Sequence, residues 1–242
     1  FFVVYFETAV RGFPRRIPPR VFTGATMYFA IEGVIGVGKT TLARLLQPSL
    51  QSSLLLEVFE ENPFLSDFYS DRARYAFQTQ IFFLLSRYHQ QNQNVPRLLE
   101  TSPHLISDYT FEKDELFARI NLKGDELEMY HRVHLALAEK IPPPDLVVYL
   151  RASTDVLMAR IAQRDRPYER TMERGYIAEL NQAYDDFFLN TQEHLSPTLV
   201  IEAGELDFVR SPQDLRWVEN RIRQTLQLPP FQPELPLERP SA

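Results

Sequence analysis

A glycine-rich octapeptide near the start of the chain constrains its fold more than any other feature. Residues 33–40 read GVIGVGKT, which fits the pattern G-x-x-x-x-G-K-[ST]. In this pattern the glycines let backbone N–H groups curl around an anion, the lysine reaches its terminal phosphates, and the hydroxyl that follows can bind Mg²⁺. An apolar run at 27–32 precedes it, and apolar residues at helical spacing follow over 39–46. Strand, glycine loop and helix are the setting that the motif requires, so the sequence predicts a phosphate-binding loop.

Strand and helix patterns alternate after this loop. Further strands are expected over 53–59, 104–108, 145–150 and 198–201. Further helices are expected over 71–91, 125–140, 154–163 and 173–193. This alternation predicts an α/β fold, a doubly wound parallel five-stranded sheet flanked by helices. Ligands of such a sheet bind at the carboxyl ends of its strands.

The two ends of the chain differ from this pattern. Residues 1–26 combine an apolar start with a basic, proline-rich stretch, and a methionine stands at 27. We therefore expect 1–26 to be a disordered or misassigned extension. Residues 227–242 are rich in proline and are expected to form a disordered tail, which leaves 27–226 as one folded domain.

Charge and composition exclude several classes of partner. The formal net charge is −6, whereas a general nucleic-acid binder is usually basic, so we expect no nucleic-acid partner. No apolar stretch reaches the length of about 18–20 residues that a membrane span needs, so we expect no membrane partner. The sequence contains no cysteine, which argues against disulfides and thiolate zinc sites and fits a cytoplasmic protein.

Charged residues cluster where a parallel sheet would place its site. Glu57 lies at the end of the second predicted strand and Asp108 at the end of the third. Carboxylates beside a phosphate-binding loop suit Mg²⁺ ligation and activation of a hydroxyl. The segment 160–170 contains several arginines and could close over phosphates. Each cluster taken alone also fits a solvated charged surface.

From 27 to about 209 the chain resembles the deoxynucleoside kinases, and the first motifs that carry the resemblance follow the phosphate loop. Glu57 occupies the place of the glutamate that follows the family's second strand. That family then has a tyrosine before a helix that bears a glutamine and, seven residues later, an arginine. Tyr69, Gln80 and Arg87 match this spacing.

The later motifs continue the resemblance in the same order. Asp108 and Asp114 match the two acidic positions that the family has at and after its third strand. The family's arginine-rich lid corresponds to Arg160, Arg164 and Arg166, followed by an acidic residue at Glu169.

The resemblance implies ATP as the phosphate donor and Mg²⁺ as its metal ion. It implies that the cofactor is bound by Gly33, Val34, Ile35, Gly36, Val37, Gly38, Lys39, Thr40, Thr41, Arg160 and Arg164. It implies that the metal is bound by Thr40 and Asp108. The implied catalytic residues are Glu57, Asp108, Lys39, Arg164 and Arg166. Among the acidic residues near the second strand, the resemblance favours Glu57 over Glu60 and Glu61 as the base for a nucleoside 5′-hydroxyl, with Asp108 as the alternative base.

The resemblance also implies how the acceptor is bound. Tyr69 and Glu169 are expected to bind the 3′-hydroxyl, and Gln80 to read the base. The remaining implied substrate contacts are Glu57, Arg87 and Asp114. A carboxamide pairs with an adenine edge and also satisfies cytosine, and Asp114 offers an acceptor to an exocyclic amino group. These residues favour deoxyadenosine or deoxycytidine over thymidine and leave deoxyguanosine open. In relatives, helices equivalent to 71–91 and 125–140 pair across a two-fold axis, so a homodimer is expected.

One position departs from the family pattern. Tyr109 stands where the family has an arginine that contacts the 5′-oxygen and phosphates. We expect Arg87 or the arginine-rich segment to compensate for the missing charge.

Two other functions fit parts of the sequence. A thymidylate kinase shares the strand before the phosphate loop and an arginine-rich lid, but it normally has a Glu-Pro-Gly-Gly turn, which the sequence at 57–60 lacks. A regulatory module that binds nucleotide without turnover is the second alternative, and Tyr109 is the residue that favours it.

Overall fold

The computed structural model describes residues 26–190 and 196–230. The predicted extension over 1–26 and most of the predicted tail lie outside these ranges. Residues 227–230 of the tail are described: Leu228 packs against the core, and its N–H donates to the carbonyl of Arg223 at 2.8 Å. Among the described helices, none combines the length and the apolar character that crossing a membrane requires.

A single parallel sheet forms the centre of the fold, as the sequence predicts. Its strands are β1 (Met27–Glu32), β2 (Ser52–Leu55), β3 (His104–Ser107), β4 (Leu146–Arg151) and β5 (Thr198–Glu202). The order across the sheet is β2-β3-β1-β4-β5, and every pairing is parallel. All residues of the central strand β1 are buried, because helices cover both faces of the sheet.

Helices connect these strands in chain order. They are α1 (Lys39–Leu50), α2 (Leu65–Ser70), α3 (Arg72–Thr101), α4 (Lys113–Asn121), α5 (Gly124–Ala138), α6 (Thr154–Arg164), α7 (Arg174–Asp185) and α8 (Pro212–Thr225). The sequence patterns predicted α1, α3, α5, α6 and α7. The sequence analysis missed α2, α4 and α8, although Ser211 caps α8 by accepting from the N–H of Asp214 and Pro212 occupies its first turn.

The second strand ends earlier than the apolar run predicts. The expected strand ran to Phe59, whereas β2 ends at Leu55. Beyond that point the backbone finds side-chain partners instead of a strand: the carbonyl of Leu56 accepts from Gln90 Nε2 at 2.7 Å, and the N–H of Glu57 donates to Asp108 Oδ1 at 2.8 Å. The chain therefore leaves the sheet after Leu55, before it reaches the polar residue Glu57.

Two helices also differ from their predicted lengths. α3 continues ten residues past the predicted end at 91 and runs through Pro96, because Val95 is buried against the second, smaller core cluster. The helix predicted over 173–193 is α7 followed by a π-helical turn, Asp186–Asn190, and residues 191–193 lie outside the described part of the chain.

Candidate active site

The carboxyl ends of β1, β2 and β3 meet at one edge of the sheet and open into a cleft that contains a cavity of about 110 Å³. Most predicted site residues line this cleft, namely Ile35, Gly36, Lys39, Thr40, Glu57, Tyr69, Gln80, Arg87, Asp108, Arg164, Arg166 and Glu169. Residues that are distant in sequence are thus brought together as predicted from the parallel sheet.

The phosphate-binding loop connects β1 to α1 and depends on its glycines. Gly33, Gly36 and Gly38 have φ angles of 144°, 87° and 109°, which side chains rarely allow. Val34 and Val37 turn their side chains into the core, so from these two positions only the backbone is available to an anion. The loop therefore presents peptide groups at the first turn of α1, as an anion site requires.

Two cations hold the loop. Lys39 Nζ donates to the carbonyls of Gly33 at 2.7 Å and Val34 at 3.3 Å. Burial, followed by repulsion from a second lysine, Lys113, lowers the pKa of Lys39 to about 8. Arg160 donates to the carbonyl of Val37 at 3.1 Å and also binds the carbonyls of two residues after β5, Ala203 and Leu206.

A second cavity lies on the other side of the phosphate-binding loop. It shares Gly36 and Arg164 with the first cleft, and the predicted cofactor residues Val37, Gly38, Thr41 and Arg160 lie along it. The segment 204–210, which follows β5, forms its opposite wall. The sequence analysis did not identify this segment, and its composition carries no signal for such a role.

Thr40 and Asp108 lie in contact. The hydroxyl of Thr40 donates to Asp108 Oδ2, and Asp108 Oδ1 accepts from the backbone N–H of Glu57 at 2.8 Å. Hydroxyl and carboxylate oxygens are the ligands that Mg²⁺ prefers, so this pair fits the predicted metal site. The same carboxylate also fixes the backbone of the predicted base.

Glu57 is held between two cations. Arg87 Nε donates to Glu57 Oε1 at 2.9 Å, and Lys113 Nζ donates to Glu57 Oε2 at 2.7 Å. Burial alone would raise the pKa of Glu57, but the charges and hydrogen bonds of Arg87 and Lys113 outweigh it and hold that pKa well below its usual range. Glu57 is therefore ionised in this structure at neutral pH.

The sequence analysis missed Lys113. It is the first residue of α4, its side chain is 7% exposed, and it lines the cleft. The signal available was weak: lysines are rare in this chain, and one of them lies shortly after the acidic end of β3.

Arg87 joins Glu57 to Asp114. Its Nη1 forms an ion pair with Asp114, whose side chain is fully buried and does not line the cleft. Gln80 is only 2% exposed and lines the cleft, and its Oε1 has no hydrogen-bond partner among the described residues. Gln80 therefore has an acceptor available within the cleft, whereas Asp114 acts through Arg87.

Aromatic rings and part of the arginine-rich segment, 160–170, line the cleft. Tyr69 stacks on Tyr168 with ring centroids 6.3 Å apart, and the Arg166 guanidinium lies 4.4 Å from the centroid of the Phe59 ring. Arg164 binds Glu169 through Nε and Nη2, at 2.6–3.0 Å. In the structure, therefore, the carboxylate of Glu169 is paired with the guanidinium of Arg164.

Tyr109 does not reach the cleft. Its side chain is fully buried beside Tyr28 and Leu105, and its hydroxyl donates to Gln90 Oε1 at 2.5 Å. Gln90 in turn binds the carbonyl of Leu56, next to Glu57. Tyr109 therefore acts from the core side, through Gln90, to support the position of the predicted base, Glu57.

Comparison with known proteins identifies the family. Residues 29–227 match the family described as deoxynucleoside kinase. A deoxyguanosine kinase of Bacillus subtilis (strain 168) is 32% identical over 202 residues, covering 82% of this chain and 97% of that protein. A deoxyadenosine/deoxycytidine kinase of the same organism is 26% identical over 200 residues, covering 79% of this chain and 89% of that protein.

A solved structure shares the fold. Deoxyadenosine kinase from M. mycoides, with the products dCMP and a flexible dCDP bound, matches with a TM-score of 0.71 at 27% identity, covering 82% of this chain and all of that one. The extent of the family match and the cleft at the carboxyl ends of the strands lead to one conclusion: this chain belongs to the deoxynucleoside kinase family and is a kinase.

Proposed function

We propose that this kinase transfers the γ-phosphoryl group of ATP to the 5′-hydroxyl of a deoxynucleoside, as a cytoplasmic enzyme of nucleotide salvage. The observation that carries the proposal is that an ionised carboxylate, Glu57, whose side chain is 13% exposed, lies in one cleft with the phosphate-binding Lys39 and the Thr40–Asp108 pair. A base candidate, a phosphate site and a metal site in one cleft are what phosphoryl transfer to a hydroxyl requires.

The donor fits the phosphate-binding loop and the cavity beside it. The triphosphate of ATP would lie on the peptide groups of the loop, and its nucleoside in the cavity walled by 204–210. Thr40 and Asp108 would hold Mg²⁺, which when bound neutralises charge on the phosphates. The relative from M. mycoides that binds dCMP and dCDP supports a nucleotide in such a site.

The acceptor hydroxyl would be bound by Glu57. The transition state of phosphoryl transfer is largely dissociative, so Glu57 acts mainly by orienting the hydroxyl and taking its proton. Lys39, Arg164 and Arg166 would spread the charge that develops on the transferred group. Arg164 is then released from Glu169, whose carboxylate becomes free to bind the 3′-hydroxyl together with Tyr69.

Gln80 would read the base of the acceptor. Its unpartnered Oε1 accepts from an exocyclic amino group, and its amide donates to a neighbouring ring nitrogen, which favours deoxyadenosine or deoxycytidine. Asp114 would contribute by fixing Arg87 rather than by direct contact. Deoxyguanosine is a second candidate, because it also carries an exocyclic amino group and because the chain is 32% identical to a deoxyguanosine kinase.

Phosphorylation assays with single acceptors test the proposal. The purified chain is incubated with ATP, Mg²⁺ and each of the four deoxynucleosides in turn, and separately with dTMP. We expect a 5′-monophosphate from deoxyadenosine, deoxycytidine or deoxyguanosine, and little from thymidine or dTMP. Absence of product from every nucleoside would overturn the proposal.

Two variants test the assigned residues. Glu57→Gln should lower kcat by a factor of about 10²–10⁴. If turnover stays near that of the wild type, Glu57 is not the base and Asp108 takes its place. Gln80→Ala should weaken nucleoside binding and leave ATP binding intact, whereas an equal loss of both would show that Gln80 does not read the base.

A further inference from the structure

Lys113 brings a second cation to the acceptor end of the cleft. Its Nζ donates to Glu57 Oε2 at 2.7 Å and lies 5.6 Å from the centroid of the Phe117 ring. It lines the same cleft as Lys39 and Thr40. The ammonium is therefore inside the site, on the side where the acceptor hydroxyl is proposed to bind.

The two oxygens of Glu57 have different surroundings. Oε1 accepts from both Nε and Nη2 of Arg87, which fill its two acceptor positions. Among the described residues, the hydrogen bond from Lys113 is the one that Oε2 accepts. A carboxylate oxygen accepts two hydrogen bonds, so Oε2 has room for a further donor. A hydroxyl bound to Glu57 at Oε2 would lie directly beside the Lys113 ammonium.

Three other cations of the cleft have different contacts. Lys39 binds the carbonyls of the phosphate-binding loop, Arg87 is shared between Glu57 and Asp114, and Arg164 is bound to Glu169. The end of β3 contributes Asp108 to the cleft, while Tyr109 beside it points into the core. Lys113, from the first turn of α4, is therefore the cation bound to Oε2, the oxygen of Glu57 that has room for a further donor.

Charge balance alone does not account for this position. Glu57, Asp114, Arg87 and Lys113 form a buried set with equal numbers of positive and negative charges, and such a set can be purely structural. A purely structural lysine has no need to lie in the cleft wall or to bind Oε2, the oxygen of Glu57 that has room for a further donor. If Lys113 is structural, loss of its charge lowers the stability of the fold. If Lys113 takes part in the reaction, loss of its charge lowers turnover.

We propose that Lys113 is a catalytic residue that contacts the attacking 5′-oxygen and the transferred phosphoryl group. The proposal rests on the function proposed above, with Glu57 as the base. In the step, the 5′-oxygen forms a bond to the γ-phosphorus, the bond from that phosphorus to the β–γ bridging oxygen breaks, and ADP leaves with the electron pair. The hydroxyl proton passes to Glu57, and the ammonium of Lys113 stabilises the negative charge on the phosphoryl oxygens.

Steady-state kinetics of Lys113→Met tests this role. We expect kcat to fall about 10²-fold, as for the loss of one preorganised donor, with the KM values for ATP and deoxynucleoside changed less than about threefold. The matched control is Lys123→Gln, an exposed lysine outside the cleft, which should keep the wild-type kcat. Thermal melting and nucleoside binding are measured on the same samples. Unchanged kcat, or a loss of kcat matched by loss of binding and of folded protein, would overturn the proposal.

Chemical rescue separates the charge from the fold. The chain contains no cysteine, so Lys113→Cys introduces a single thiol. This thiol is alkylated in denaturant with 2-bromoethylamine, which restores an ammonium at nearly the original length, or with iodoacetamide, which adds a neutral amide. After refolding, the aminoethyl form should be at least about tenfold more active than the amide form, because a positioned charge is what the step needs. Wild type taken through the same refolding sets the reference.

Equal activity of the two alkylated forms would contradict the role of Lys113. Failure of the wild type to phosphorylate any deoxynucleoside would contradict the proposed function instead. The two failures are therefore distinguishable within one experiment.

Discussion

At the scale of single residues, Glu112 is a carboxyl group whose surroundings oppose its charge. It immediately precedes α4, and burial, together with the neighbouring Glu32 and Glu115, raises its pKa from 4.5 to about 7. Between these values the folded chain binds more protons at this site than the unfolded chain. The contribution of Glu112 to the free energy of unfolding therefore falls as the pH rises from 4.5 to about 7, and it is constant above that.

Replacing this carboxyl by an amide should remove that penalty. Glu112→Gln should match the wild type near about pH 4 and be more stable by about 2 kcal/mol near about pH 8, a value reduced for the partial exposure of the side chain. Urea unfolding across this pH range measures the difference, with the exposed Glu100→Gln as control. A wild type whose stability does not change with pH relative to Glu112→Gln would contradict the raised pKa.

Tyr109 illustrates a residue whose identity is set by packing. Tyr109→Arg would place a guanidinium among Tyr28, Val95 and Leu105, so the free energy of unfolding should fall by about 3 kcal/mol or more. Tyr109→Phe keeps the ring and only leaves Gln90 Oε1 without its donor, which should cost about 1 kcal/mol. Calorimetry or urea unfolding checks both variants. An arginine variant as stable as the wild type would show that position 109 can open towards the cleft.

At the scale of elements, the turn from β1 into the phosphate-binding loop lies against the end of β4. A Cβ on Gly33 would be 2.5 Å from the carbonyl oxygen of Leu150, and its φ is 144°. Gly124, at the start of α5, also has a positive φ, 56°, but none of the residues that the structure describes would lie within 4 Å of a Cβ there. Substitution of Gly124 therefore reports the cost of the backbone conformation alone, whereas substitution of Gly33 also reports the close approach of Leu150.

Alanine at each position measures these two effects. Gly124→Ala should lower the free energy of unfolding by about 1–2 kcal/mol, the cost of the left-handed backbone alone. Gly33→Ala should lower it by about 3–5 kcal/mol, because overpacking adds to the strain. Chemical denaturation of the purified variants gives both numbers. Equal losses would mean that β4 yields to the added methyl group.

Local patterns predicted those elements whose reasons are local. The phosphate-binding loop, the central strands and α6 follow from glycine positions and from the spacing of apolar residues. The end of β2 did not, because it depends on Gln90 and Asp108, which are distant in sequence. Val95 likewise extends α3 only through a core cluster that the sequence does not reveal.

The candidate site divides in the same way. Residues in a spaced motif, such as Lys39, Glu57 and Gln80, were found from sequence and lie together in the cleft. Lys113 was missed, because its role comes from the direction in which α4 leaves β3, and no motif marks that direction. The contacts with substrate that are assigned to Lys39, Glu57 and Gln80 stay predictions.

At the scale of the whole molecule, we propose that the chain forms a homodimer through two neighbouring helices, α3 and α5. Leu85 on α3 is 42% exposed, and Met129 and Leu135 on α5 are 57% and 37% exposed. Apolar side chains of this size on adjacent helices suit an interface between two copies of the chain. This is the region that the family resemblance implies for a homodimer.

Sedimentation velocity tests the assembly. The wild type should sediment at twice the chain mass of 28.3 kDa. The double variant Leu85→Glu with Met129→Glu should sediment as a monomer, because buried charges oppose association. Val209→Glu, at an apolar position that is 65% exposed and outside both helices, is the control and should leave the dimer intact. A monomeric wild type at micromolar concentration would contradict this arrangement.

The order of strands in the sheet also has a consequence in time. β1 lies between β3 and β4 in the sheet, and the carbonyl of Val37 is held by Arg160, which lies 123 residues further along the chain. A ribosome adds about 5–20 residues per second, so this partner emerges roughly 6–25 s after the residue that it holds. During synthesis, the phosphate-binding loop, 33–40, therefore acquires its final contacts after the second half of the domain has been made.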